Sequence, residues 1–238
     1  MMKEIDVYYI KLFLRIDLEK FNRFLLRNGN FEFAEVGECK ADTVPRGERK
    51  GDYKRIERHR DMSNTIAHLA VARELLKKCP NLIHNERAYY LGTLAPDTIG
   101  GKPDYKREDK KRVHLREDIP DTRWLEPELM ALFTERVNVF AQEHIVNESD
   151  ADQRDFNIGY FVHLLTDKYN HETIRQKLLK KTIERGVVSS VWEFYHSSGH
   201  DESRHDELEA LDSYLLESYP KLGDLFSELT SKEIDYCL

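Results

Sequence analysis

Residues 157–171, NIGYFVHLLTDKYNH, form the stretch around which the rest of this chain is organised. His163, Asp167 and His171 follow one another at four-residue steps within it. Four residues advance an α-helix by about 400° and roughly 6 Å, so the three side chains form a ladder along one stripe. The two histidines are about 12 Å apart along that axis, whereas the two oxygens of Asp167 can bridge neighbouring ions. The stretch therefore predicts a helix built around a multinuclear metal site.

Spacing alone does not establish this site, because the chain contains 10 histidines and 44 acidic residues. About two His-x-x-x-Asp/Glu pairs are expected by chance, and four are present: His114/Asp118, His144/Glu148, His163/Asp167 and His205/Glu209. The third pair differs from the others because its helix is apolar nearly all round, which predicts burial. Buried Asp and His need partners. A metal ion is the favoured partner, and a structural hydrogen-bond pair is the alternative.

Length and composition predict a soluble globular protein with one substantial core. The net charge of −7 argues against general affinity for nucleic acid or anionic membranes. Three cysteines without C-x-x-C spacing indicate neither a disulfide framework nor a thiolate zinc site, and they favour a reducing compartment. The N-terminus lacks the features of a signal peptide, and no apolar run reaches membrane-spanning length. We therefore expect a cytoplasmic protein without a transmembrane segment.

The N-terminal quarter differs in pattern from the rest. Residues 1–39 predict a small α+β segment, with a strand at 5–16, a helix from Asp17 to Asn28-Gly29 and a second strand at 31–36. Residues 40–61 predict a basic linker, because from Lys40 to Arg60 there are eight Lys/Arg against four Asp/Glu and almost no apolar side chains. Phosphate binding by this linker is the less favoured alternative to a solvated segment.

Residues 62–238 predict a helical metal-binding domain. Pro80 ends its first helix, and Pro96 ends the second because a residue before proline is pushed out of the helical region. Asp97 is then expected to open a polar, basic loop, 98–112, that leads to His114. The predicted helices are Ser63–Lys78, Asn85–Leu94, Glu126–Val146, Asn157–Glu184, Val187–His196 and Ser203–Tyr219, with a short tail after the last.

Four fragments of this domain occur in an order typical of a known family. They are AHLAVARELL around His68, YYLGTLAPD ending at Asp97, VHLRED with His114, and GYFVHLLTDKYNH with His163, Asp167 and His171. Together they resemble the zinc-dependent phospholipase C family, whose all-helical fold is shared with single-strand nucleases of the S1/P1 type. The resemblance covers Met62 to the C-terminal helices and leaves residues 1–61 outside. It implies a mainly α, multi-helix bundle, preceded here by the small α+β segment.

The resemblance also implies the metal ligands. Matched position by position, Asp97, His114, His163 and Asp167 hold one zinc ion, and His68 holds a second that shares Asp167. His171 is matched to a third ion, together with a histidine and an acid from the last helices such as His205 and Glu209. Nitrogen and oxygen ligands without sulfur leave zinc acidic enough to generate hydroxide from bound water near neutral pH. One to three zinc ions are therefore expected.

The sequence departs from the secreted enzymes of that family in two respects. Those enzymes ligate zinc through a processed N-terminal residue, whereas 67 residues precede His68 here. Either His59 or an amine at a true start at Met62 would replace that ligand. The interval from Asp167 to His171 is also shorter than in the secreted phospholipases, which weakens the match at the third ion. His196, His200 and His205 are candidates there, although a surface role is favoured for each.

The implied activity is metal-assisted hydrolysis of a small-molecule or lipid phosphate ester. Metal-bound hydroxide attacks phosphorus, and Asp97, the catalytic residue by analogy, orients the water. The basic stretch Lys102–Arg112 either steers an anionic substrate or is simply solvated. One alternative is a single-strand nuclease that stacks bases on aromatic side chains, for which the candidates are Tyr89, Tyr90, Tyr105 and Trp124. The other is a non-catalytic, metal-stabilised binding domain.

Overall fold

The computed structural model describes residues 65–124, 126–186, 189–190, 193, 212–213, 215–217 and 219–231. The predicted segments 1–39 and 40–61 lie outside these residues, as do nearly all of the helix predicted at 187–196 and much of that at 203–219. Within the described ranges the chain is mainly helical and contains no strand, which confirms the mainly α class for this part.

Seven helices organise the described residues: α1 (Thr65–Lys78), α2 (Glu86–Thr98), α3 (Arg107–Val113), α4 (Pro127–Ala141), α5 (Ala151–Tyr169), α6 (Gln176–Glu184) and α7 (Pro220–Ser231). Short 3₁₀ turns lie at Ile99–Gly101 and Asp121–Arg123, and π-helical segments continue α4 at Gln142–Val146 and α5 at Asn170–Arg175. Helix α7 falls in the region that the sequence predicted as a short tail. None of the described helices is both long enough and apolar enough to cross a membrane.

Helix α5 lies at the centre of the bundle. Ile158, Phe161 and Leu164 are fully buried on it, and its neighbours are α1, α2 and α4. A helix that is apolar on all sides is stable in water only when other elements cover it completely. The prediction that the stretch from Asn157 onwards forms a buried helix is therefore confirmed. The helix also begins earlier than expected, at Ala151, where the Asp150 carboxylate accepts a hydrogen bond from the Gln153 amide at 2.8 Å.

Two glycines set the separation of α2 and α5. A Cβ atom added at Gly92 would lie 1.9 Å from the Phe156 carbonyl oxygen, and one added at Gly159 would lie 1.9 Å from that of Tyr89. No side chain other than hydrogen fits at either position, so the two backbones are in direct contact. This contact brings the last turn of α2 alongside the middle of α5.

The structure corrects two boundaries that the sequence predicted. Helix α2 does not stop before Pro96 but runs through it to Thr98, so Asp97 lies in a helix rather than at the start of a loop. Proline at this point removes a hydrogen bond to the carbonyl four residues earlier. That carbonyl belongs to Gly92, where packing against α5 holds the backbone in place. The helix then ends at Thr98, two residues after Pro96.

The second correction concerns the predicted loop 98–112, because residues Arg107–Val113 form helix α3. The order of charges explains this helix: Glu108 and Asp109 occupy its first turn and Lys110 to Arg112 its last, which complements the helix dipole. The Asp109 carboxylate also accepts a hydrogen bond from the Lys106 amide at 3.0 Å. The number of charged residues alone predicted a loop, whereas acidic residues at the start and basic residues at the end favour a helix.

Candidate metal centre

Five of the six predicted ligands come together between four segments of the chain. His68 comes from α1, Asp97 from the last turn of α2, His114 from the residue that follows α3, and His163 with Asp167 from α5. Two groups of three residues can each hold an ion, with ligand atoms that lie within 4.8 Å of one another. The groups are His68, His163 and Asp167, and Asp97, His114 and His163. They share His163, so the five residues form one centre.

Four distances that join Asp97, His114, His163 and Asp167 are close to the edges of a metal-binding tetrahedron. Nε2 of His114 lies 3.3 Å from Oδ1 of Asp97 and 3.3 Å from Nε2 of His163. Oδ2 of Asp167 lies 3.7 Å from Nε2 of each of these two histidines. Ligands about 2.1 Å from a tetrahedral zinc ion lie about 3.4 Å from one another. Four of the six separations among these atoms are therefore close to those between ligands of one small divalent ion.

Backbone carbonyls orient two of the imidazoles towards this centre. Nδ1 of His163 contacts the Thr93 carbonyl oxygen at 2.9 Å, and Nδ1 of His114 contacts that of Lys110 at 2.8 Å. A carbonyl oxygen only accepts hydrogen bonds, so each Nδ1 carries the proton. In the neutral rings both Nε2 atoms then present lone pairs to each other, which is unfavourable unless a cation lies between them. Such outer hydrogen bonds are typical of metal-ligating histidines.

Each carboxylate faces two ways. Oδ1 of Asp97 is directed at His114, while its Oδ2 lies 3.9 Å from Nε2 of His68. Oδ2 of Asp167 is directed at His114 and His163, while its Oδ1 lies 3.6 Å from Nε2 of His68. A carboxylate whose two oxygens face different histidines is placed to bridge a pair of ions. The geometry accommodates a second ion beside His68.

His68 is the most constrained of the three histidines. Its ring is stacked on that of His163, with centroids 3.8 Å apart and planes inclined by 14°. Its Nδ1 atom is buried and has no hydrogen-bond partner among the residues that the structure describes. A buried polar atom without a partner is costly in a folded protein. Imidazole nitrogens and carboxylate oxygens are ligands that divalent metals accept, so the residues present fit a metal ion.

Burial and charge together favour the forms that bind metal. Burial lowers the pKa of His68, against the opposing effect of the nearby Asp167 and Asp97 carboxylates. Burial likewise lowers the pKa of His163 to about 3. Burial alone would raise the pKa of Asp97, but His163, His114 and Lys110 together hold it well below its ordinary value. At neutral pH His68 and His163 are therefore neutral and Asp97 is ionised, which are the forms that bind a metal ion.

Residues that hold the ligands in place were not identified from the sequence. Asp155 is fully buried on α5, and its Oδ2 accepts hydrogen bonds of 2.7 Å from the amides of His84 and Asn85, which fixes the start of α2. The Tyr160 hydroxyl donates to the Val113 carbonyl oxygen, one residue before His114. Gly92 and Gly159 lie inside the quoted fragments YYLGTLAPD and NIGYFVHLL, but only the close approach of their backbones explains them.

Lys110 adds a cation to the centre. Its Nζ lies 3.2 Å from Oδ1 of Asp97, the same oxygen that faces His114. The side chain of Lys110 is 26% exposed and that of Asp167 is 19% exposed, whereas His114 and His163 are almost completely covered. The centre therefore opens to solvent on its carboxylate and lysine side. The sequence singled out Lys110 only as one of several basic residues in a loop.

The sixth predicted ligand, His171, lies outside the cluster of the other five. His171 is buried, but it belongs to the π-helical segment rather than to α5, and its ring packs against Trp124 with centroids 4.6 Å apart. It is not in either three-residue group found among the described residues. Its role at a third ion stays a prediction, because the candidate partners His196, His200, His205 and Glu209 lie outside those residues, as do His59 and Met62, the candidates for the second ion. His144 is exposed and packs against Phe140.

Comparisons with protein-family models, curated proteins and solved structures find no match for this chain.

Proposed function

We propose that this protein is a zinc-dependent hydrolase of phosphate esters, similar in its chemistry to phospholipase C. The observation that carries the proposal is the set of four atoms, Asp97 Oδ1, His114 Nε2, His163 Nε2 and Asp167 Oδ2, in which four of the six separations lie between 3.3 and 3.7 Å. These are the residues that the resemblance to the phospholipase C family assigns to its first zinc ion. Geometry and sequence order therefore support the same ligand set independently.

Zinc is the metal that this donor set favours. Imidazole and carboxylate ligands without sulfur suit catalytic zinc, and soft metals that prefer thiolates are disfavoured. Zinc held by such ligands polarises a phosphoryl oxygen and lowers the pKa of water into the neutral range. His68, with the second oxygens of Asp97 and Asp167, would hold a second ion.

The protein's own residues supply orientation and access. The Thr93 and Lys110 carbonyls hold the two imidazoles in the tautomer that ligates through Nε2. The three histidines are almost completely buried, so they exclude water from one side of the centre, while Asp167 and Lys110 border its open side. Asp97 lies next to that border, with its Oδ1 atom 3.2 Å from Nζ of Lys110. It is therefore placed to orient a water molecule next to a bound phosphate.

The described structure gives less support to the nuclease alternative. A nuclease for single strands needs exposed aromatic faces beside the site, yet Tyr89, Tyr90 and Trp124 are all buried in the core. The Tyr89 hydroxyl donates to the Ala72 carbonyl at 3.0 Å, which is a structural contact. Of the four candidates only Tyr105 is partly exposed. A phosphodiester of a small molecule or a lipid is therefore the favoured substrate class.

The decisive experiment measures hydrolysis of bis(p-nitrophenyl) phosphate by the full chain, with p-nitrophenyl phosphate as the monoester comparison. The protein is assayed after chelation and after addition of zinc. We expect diester hydrolysis that depends on zinc and that falls by at least about 100-fold in Asp97→Asn and His114→Ala. His144→Ala, which removes an exposed histidine away from the centre, is the matched control.

Two results would contradict the proposal. Protein that binds zinc stoichiometrically but hydrolyses neither ester would instead favour the non-catalytic, metal-stabilised domain. Hydrolysis that survives both substitutions and chelation would point to a contaminating phosphatase or to a different site.

A further inference from the structure

We propose that the ammonium group of Lys110 is the counter-ion of Asp97 in the metal-free centre. When a metal ion binds Asp97, Lys110 leaves this carboxylate and binds the phosphate of the substrate. The inference rests on the proposed function and adds to it a residue that the resemblance does not assign. Lys110 is a positioning residue in the metal-free protein and a substrate-binding residue in the loaded one.

One oxygen of Asp97 lies close to both His114 and Lys110. Oδ1 of Asp97 faces Nε2 of His114 at 3.3 Å and Nζ of Lys110 at 3.2 Å. Asp97 also belongs to the ligand group that contains His114 and His163. An ammonium group and a metal ion therefore compete for one lone-pair donor, because both are cations that need it at short distance.

Lys110 contacts the centre through both its backbone carbonyl and its side chain. Its carbonyl oxygen accepts the hydrogen bond from Nδ1 of His114 at 2.8 Å, and its side chain reaches Asp97. Only the second contact depends on the side chain. A substitution at Lys110 can therefore remove the cation and leave the orientation of His114 unchanged. The effect of the side chain can then be measured separately from that of the backbone contact.

The net charge of the centre changes when a divalent ion binds. Asp97 and Asp167 carry two negative charges, which one divalent ion cancels, so the ammonium of Lys110 then leaves the centre with one net positive charge. A phosphodiester carries one negative charge and restores neutrality. Because Lys110 is 26% exposed, its flexible stem can swing from Asp97 towards the open side of the centre.

Lys111 provides a matched control on the same helix. It is the next residue of α3 and carries the same charge, but its electrostatic effect is on Asp121 rather than on Asp97. Lys110→Met and Lys111→Met therefore make the same change in net charge at adjacent positions. Lys110→Arg keeps the charge and serves as the conservative variant.

The test has two binding measurements on the full chain. The zinc dissociation constant is obtained by competition with a chromophoric chelator, and orthophosphate binding to zinc-loaded protein is followed by calorimetry. We expect Lys110→Met to bind zinc about 10-fold more tightly than the wild type, and the loaded variant to bind orthophosphate about 10-fold more weakly. Lys111→Met should change either constant by less than about 2-fold, and Lys110→Arg should retain phosphate binding.

The outcomes separate this inference from the proposed function. Zinc affinity in Lys110→Met equal to or below that of the wild type overturns the competition for Asp97. Tighter zinc binding with unchanged phosphate affinity overturns the anion-binding role. Equal effects in Lys111→Met reduce both changes to general electrostatics. If the binding results are as expected but no variant hydrolyses a phosphodiester, the counter-ion role stands and the proposed hydrolase activity fails.

Discussion

The Nε2 atoms of His114 and His163 face each other at 3.3 Å, and each ring has its Nδ1 committed to a backbone carbonyl. Two neutral imidazoles in this arrangement direct lone pairs at each other. Carboxylate oxygens of Asp97 and Asp167 add negative charge within 4 Å of the same atoms. A fold that concentrates acceptors in this way is stabilised by a cation placed among them.

The first prediction is that the purified protein contains one to three zinc ions and is stabilised by them. A metal present at about a thousand times its dissociation constant adds about 4 kcal/mol, so removal should lower the Tm by about 10 °C. Elemental analysis and thermal unfolding with and without a chelator measure both quantities. Absence of any transition metal, together with a Tm that zinc does not change, would contradict the prediction.

The second prediction concerns Asp167, whose two oxygens face separate imidazoles at 3.6 and 3.7 Å. Asp167→Asn keeps the size of the side chain but removes its charge, and one end of the amide only donates hydrogen bonds. We expect zinc content and phosphodiesterase activity to fall by at least about 10-fold, with helicity by circular dichroism retained.

The matched control for Asp167→Asn is His144→Ala, because His144/Glu148 has the same spacing as His163/Asp167 but lies on the surface. Full metal content in Asp167→Asn, or an equal loss in His144→Ala, would mean that these α5 residues are not the metal site.

The third prediction tests the contact between α2 and α5. Gly159→Ala places a methyl group 1.9 Å from the Tyr89 carbonyl oxygen, and backbone atoms cannot move aside as a flexible side chain would. The helices must separate, which should cost more than about 3 kcal/mol and also displace Asp97 from His163. Urea unfolding measures the first effect and zinc affinity the second.

Gly223→Ala is the control for this substitution. A Cβ at Gly223 meets only the end of the Leu216 side chain at 3.3 Å, and alanine is favoured over glycine within a helix such as α7. We expect a change of less than about 1 kcal/mol there. A Gly159→Ala protein as stable as Gly223→Ala would show that the close approach of the two backbones is not required.

The fourth prediction concerns the buried carboxylate of Asp155. Asp155→Ala leaves the amides of His84 and Asn85 without their acceptor, which should lower the free energy of unfolding by about 3 kcal/mol. Asp152→Ala, which changes an exposed side chain in the first turn of the same helix, should cost less than about 1 kcal/mol. Denaturant unfolding of both variants decides the point, and equal costs would contradict a specific role for Asp155.

The sequence by itself determined the helical class of the described residues and most members of the metal centre. The apolar run at 157–169 could be buried only as an interior helix, and its four-residue spacing placed His163 and Asp167 on one face. Asp97, His114 and His68 were selected through the order of four family-like fragments. Local pattern was sufficient for His163 and Asp167, because helix periodicity and residue type are properties of the chain itself, whereas the other three were implied by the resemblance.

Only the tertiary structure decided how those residues meet. The glycine contact between α2 and α5 outweighs the local preference of Pro96, so Asp97 lies on a helix that the sequence ended too early. Lys110, Asp155 and Tyr160 act through contacts with residues at least 13 positions away in the chain, which no local pattern displays. The ligands and their spacing along one helix are local information, whereas the partner of each buried charge depends on which elements pack together.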